Sequence, residues 1–78
     1  MEAADKELIL RLLPHDALLR RLYLEHQELE NRLNEYNARS FLTADEQMEE
    51  KRLKKRKLFG VDKMMELVAG HRENAMAL

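Results

Sequence analysis

Seventy-eight residues with a formal net charge of −1, of which 37% are charged and 45% hydrophobic, allow one small domain and exclude a large buried core. The absence of cysteine excludes disulfide staples and thiolate metal sites. Two glycines and one proline, in a chain dominated by Leu, Glu, Lys, Arg, Ala and Met, leave helix as the main option.

The amino terminus, Met1-Glu2-Ala3-Ala4-Asp5, is acidic and unlike a secretory signal, and no apolar run approaches the roughly 20 residues needed to cross a bilayer. A soluble cytoplasmic protein with no membrane partner is expected. Residues 5–13 then place Leu8, Ile9, Leu12 and Leu13 at helical spacing, which predicts a short amphipathic helix. Pro14 lacks the amide that a helix interior needs but is tolerated at a first helical position, so it is expected to open a second helix over 14–37 with Asp16 in its first turn.

Within that helix His15, Leu19, Leu22, His26, Leu29, Leu33 and Tyr36 recur at alternating steps of four and three, the seam of a helix packed along another. Residues 38–43 break the period and form a loop. Thr43-Ala44-Asp45-Glu46 reads as a capping box, with Phe41 or Leu42 available as a hydrophobic staple, so a third helix is expected over 44–72. Its inner side holds Leu53, Lys57, Val61, Met64, Leu67 or Val68, and His71, with Gly60 a weak point; residues 73–78 are expected to fray. Residues 1–37 carry five Lys or Arg against eight Asp or Glu, and 38–78 carry nine against seven, an asymmetry that favours the two long helices lying side by side. The expected fold is all-α: an antiparallel, coiled-coil-like helical hairpin with a short N-terminal helix, in one domain, two copies of which can pair into a four-helix bundle.

Leu19-Arg20-Arg21-Leu22-Tyr23, Glu25-His26-Gln27-Glu28-Leu29-Glu30, the capped start Leu42-Thr43-Ala44-Asp45-Glu46 and the segment from Glu50 to Leu58 together resemble the YdcH-like family of short bacterial helical proteins. The resemblance spans about residues 8–70 and departs from the commoner family form at Phe59-Gly60 and after Val68. It implies a helical hairpin in a bacterial cytoplasm, with no described chemistry and no functional residues to carry over.

Six of the seven residues Lys51-Arg52-Leu53-Lys54-Lys55-Arg56-Lys57 are basic, and Lys51, Arg52, Lys54, Lys55, Arg56 and Lys57 are the candidate phosphate contacts of a nucleic-acid accessory protein. The competing and favoured reading is a solvated face, with Glu49 and Glu50 pairing to Arg52 and Lys54, and Glu25, Glu28 and Glu30 opposite. His26 and Glu30 share a helix face but are more simply a seam histidine and its neighbour than metal ligands, so no metal or other cofactor is expected. Slender helices offer no pocket, Ser40 is the only serine and Thr43 serves as a cap; neither an enzyme nor a small-molecule site is expected. The leading expectation is a non-catalytic interaction or assembly module, most simply a homodimer, with Leu8, Leu12, Met48 and Phe59 as its candidate partner surface.

Overall fold

The computed structural model describes residues 3–77, with side chains described for 3–73. Three α-helices follow one another: α1 (Ala3–Leu12), α2 (Ala17–Asn37) and α3 (Ala44–Ala77). The chain is all-α, and α2 and α3 pack against each other as a helical hairpin in a rod 53 × 20 × 16 Å in extent.

The corner between α1 and α2 differs from the expectation that Pro14 opens the second helix. Leu13–His15 instead form a single 3-10 turn, with Pro14 early in it. Asp16 then turns extended and caps α2, its carboxylate accepting from the amide of Leu19 at 3.0 Å while its carbonyl accepts the first helical bond, from Arg20. An aspartate that satisfies an otherwise orphaned amide is a stronger helix start than proline's preset φ, so α2 begins at Ala17 and not at residue 14. His15, expected on the seam, precedes the cap and is exposed; the seam proper begins at Leu19.

The loop over 38–43 is tied at both ends. The Thr43 hydroxyl accepts from the amide of Glu46 at 3.2 Å, and the Glu46 carboxylate accepts from the amide of Thr43 at 3.0 Å, the reciprocal pair of a capping box. Arg39 pairs with that same Glu46 and lies over the ring of Tyr36, whose hydroxyl donates to Glu49 at 2.6 Å. Phe41 forms no staple: it is 79% exposed at the tip of the rod.

Apolar burial divides into two clusters along the rod. At the loop half, Leu29 and Leu33 of α2 meet Leu53 of α3, with Tyr36 alongside. At the other half α1 folds back over the hairpin, and Ile9, Leu19, Tyr23, Met64 and Val68 form the larger cluster, flanked by Leu8, Leu12, Leu13, Leu22, Val61, Met65 and Leu67. Leu8 and Leu12, expected on a partner surface, are half-buried against the chain's own core. The third helix does not stop at residue 72: nothing from Glu73 to Ala77 is Gly or Pro, and α3 runs to Ala77, whereas Leu78 lies outside the described residues.

Two substitutions test this packing. Leu29→Asp places a charge where only 6% of the residue reaches solvent, and is expected to destabilise the fold by roughly 3–5 kcal/mol; Thr43→Ala removes one cap bond and should cost about 1 kcal/mol. Comparable urea midpoints for the two variants would refute the seam. Gly60 sits inside α3 with nothing within 4 Å of an added Cβ, so Gly60→Ala should stabilise by up to about 1 kcal/mol, read as a rise in the same midpoint.

Candidate functional site

The basic run lies on α3 where it passes the middle of α2, and helix geometry sends its six cations in different directions. Lys54 Nζ reaches Glu50 Oε1 at 2.7 Å within α3, while Arg56 Nε and Lys57 Nζ reach across to Glu25 Oε1 at 2.9 Å and Glu30 Oε1 at 3.3 Å on α2. Lys51, Arg52 and Lys55 have no carboxylate within 4.0 Å among the described residues. Arg52 is therefore not matched by Glu49, which is taken by the Tyr36 hydroxyl. Arg56 and Lys57 tie the hairpin's flanks together, Lys54 pairs within α3, and the other three cations face solvent.

His26 sits on the α2 seam, 6% exposed. Its Nε2 lies 3.3 Å from Glu30 Oε1, the oxygen also approached by Lys57, and its Nδ1 is buried with no hydrogen-bond partner among the described residues. Burial, opposed by the Glu30 charge, holds the imidazole pKa below its usual 6.5. Lys57 beside the carboxylate competes with any cation, and no group of three or more His, Cys, Asp or Glu placed to hold a metal occurs among the described residues.

One contact that sequence reasoning missed joins the two ends of the chain's fold. His71 Nε2 of α3 meets Asp16 Oδ2 at 2.9 Å, so Asp16 both caps α2 and pins the far half of α3. The Leu19 amide, and then the His71 ring, hold the Asp16 carboxyl below its ordinary 3.8. A capping role was legible in an aspartate before an apolar periodic run; a partner 55 residues away was not.

Two grooves run along opposite flanks of the hairpin. One is lined by Arg21, Leu24, Glu25, Glu28, Arg32 and Arg56 and is dominated by charge. The other is shared with α1. At the α1 half, Lys6 closes a hollow with Tyr23, His26, Gln27 and Glu30. A separate hollow on the loop side of Glu30, with no α1 residue in its lining, is bounded by Glu30, Leu33, Asn34, Asn37, Lys54, Lys57 and Leu58. Of the candidate partner residues, Met48 and Phe59 are each 64% exposed on α3, as is Leu58, which sequence reasoning did not single out. No helix among the described residues is long and apolar enough to cross a membrane.

Compared with known proteins, the chain matches no family model, no curated protein and no solved structure.

His26 and Asp16 set two stages of the acid side of the stability profile. Because His26 is held neutral by the fold, its contribution is complete above pH 6.5, where the unfolded ring is also neutral, and is lost as pH falls toward the lowered folded pKa, since the unfolded state then binds the extra proton. Asp16 contributes fully above 3.8 and loses that contribution as pH falls through its lowered folded pKa. Urea midpoints from neutral pH to pH 3 should therefore fall in two stages. His26→Gln is expected to flatten the first, and Asp16→Asn, which keeps an oxygen for the Leu19 amide, the second. An unchanged profile in both variants would refute these assignments.

Proposed function

We propose that this chain is a non-catalytic helical interaction module that accepts a partner helix in the loop half of the groove between α2 and α3. The observation that supports this reading is a pair of hollows on one flank that share Glu30: Lys6 of α1 closes one of them, and the other lies open on the loop side. Leu58 offers apolar contact above a floor formed by the buried Leu33, Asn34 and Asn37 offer amides, and the cations on its walls are already neutralised, Lys54 by Glu50 and Lys57 by Glu30. A helix entering here meets no uncompensated charge, which burial would penalise.

The simplest partner is a second copy, the loop halves of two hairpins joining about a two-fold axis into a four-helix core. Leu58 takes the place in this assembly that Leu8 and Leu12 held in the sequence expectation, because those two side chains are engaged within the monomer. The non-catalytic part of the proposal rests on Thr43 being committed to its cap and on hollows that lie along the flanks of a thin rod. The YdcH-like resemblance adds the hairpin form and a bacterial cytoplasmic setting to the same proposal. A nucleic-acid role through 51–57 is the weaker reading, since Lys54, Arg56 and Lys57 are engaged with carboxylates.

Light scattering coupled to size-exclusion chromatography tests the assembly. A mass twice the 9.3 kDa of the chain is expected, reverting to 9.3 kDa on Leu58→Glu. A single-chain mass across micromolar concentrations would rule out the dimer, and a doubled mass indifferent to Leu58→Glu would place the contact elsewhere.

A further inference from the structure

The three cations that lack carboxylate partners share one ridge. At 3.6 residues per turn, positions 48, 51, 52, 55, 58 and 59 fall on the side of α3 turned away from the buried Leu53, Met64 and Val68, and all six are exposed. Lys51, Arg52 and Lys55 stand within about 6 Å of helix rise, framed by Met48 toward the loop and by Leu58 and Phe59 on the other side. Lys63 adds a cation 5.7 Å from the centre of the Phe59 ring, though its ammonium is 3.3 Å from Glu66. Past Phe59 the exposed side of the helix turns acidic at Asp62 and Glu66, so the cationic, apolar stretch is confined to the loop half of the rod, the half whose tip carries the exposed Phe41.

We propose that this ridge docks on an anionic lipid bilayer, with the loop half of α3 lying in the headgroup layer. Four kinds of surface could meet this ridge. A two-fold contact with a second copy would set Lys51, Arg52 and Lys55 against their own counterparts. A partner helix laid on the ridge would bury those three cations at its centre, with the desolvation cost that burial of charge carries. A nucleic-acid strand would neutralise the cations but leave Met48 in water. A headgroup layer accepts both kinds of side chain at one depth: phosphates meet the cations, which stay hydrated on their flexible stems, while Met48 and Phe59 enter the acyl boundary and Leu58, at the edge of the ridge, stays with the groove.

The lack of a spanning helix bears on crossing a bilayer, not on lying along one. With a net charge of −1 the chain has no general attraction to an anionic surface, so binding has to be oriented by this ridge. Each Lys or Arg brought to such a surface raises partitioning about fivefold, and three together about a hundredfold.

The experiment sediments the full chain with vesicles of phosphatidylcholine, with or without phosphatidylglycerol, at low and high salt. Binding is expected only to the anionic vesicles and is expected to weaken with salt. Lys51→Glu with Lys55→Glu should lower partitioning by at least about 25-fold. Arg21→Glu with Arg32→Glu, an equal change in net charge on the α2 flank, should lower it far less, and circular dichroism verifies that both variants keep their helix. The chain has no tryptophan, so Phe59→Trp supplies a single reporter whose emission should shift to the blue on anionic vesicles. No binding to anionic vesicles, equal binding to neutral ones, equal loss in the two charge variants, or an unshifted Trp emission would each overturn the proposal. So would salt-sensitive binding to a single-stranded oligothymidylate with none to vesicles, which would assign the ridge to nucleic acid.

Discussion

Two helices of unequal length cannot bury each other's apolar stripes from end to end. With 34 residues in α3 against 21 in α2, close to 20 Å of the longer helix has no α2 beside it. In a chain without disulfides and too short for a large core, Met64, Met65, Leu67 and Val68, which Leu19 and Tyr23 of α2 cover from one side, would leave the hairpin marginal without a third helix. The corner at Leu13–Asp16 answers that constraint: the 3-10 turn reverses the chain, Asp16 caps the new helix, and α1 is returned along the hairpin so that Ile9 closes the larger cluster.

The same arrangement explains why the two halves of the rod differ in what they offer. Where α1 lies in the furrow, the core is a three-helix one that takes in Leu8, Leu12 and Leu13, while Leu10, Leu18 and Leu24 stay exposed. At the loop half the core is thinner, three buried leucines with Tyr36 beside them, and its stability leans on polar ties at the loop and on cross-helix pairs such as Arg56 with Glu25. Those pairs are exposed and each contributes little, but they have a second effect: by drawing Arg56 and Lys57 toward α2 they separate the engaged cations from the unengaged ones. A run that looks uniform in sequence becomes a flank and a ridge.

Periodicity, capping and charge asymmetry made the helical hairpin legible in the sequence, because the steps of three and four through Leu19, Leu29 and Leu33, and the reciprocal bonds of Thr43 and Glu46, are local in origin. The start of α2 was misplaced where two local rules competed, proline at a first turn against aspartate at a cap, and the cap prevailed. Tyr23, buried beside Leu19, was not on the expected seam because α1, not α3 alone, helps cover it, and a third neighbour widens the buried stripe beyond a two-helix heptad. The site was less legible still. Which cations find carboxylates depends on the register between α2 and α3, and that register is a property of the packed pair.

The position of α1 also has a bearing on how the molecule opens. A ten-residue helix has almost no helicity of its own in water, and α1 has one fully buried anchor, Ile9, with half-buried leucines around it. Release from the hairpin and loss of helicity in this segment are therefore coupled, at a free energy below global unfolding, and the amide protons of Leu8 to Leu12 are expected to exchange with solvent together, ahead of those near Leu29 and Leu53. In each such opening the furrow is bared along its whole length, and the hairpin becomes for an instant a two-helix receptor for its own amino-terminal segment.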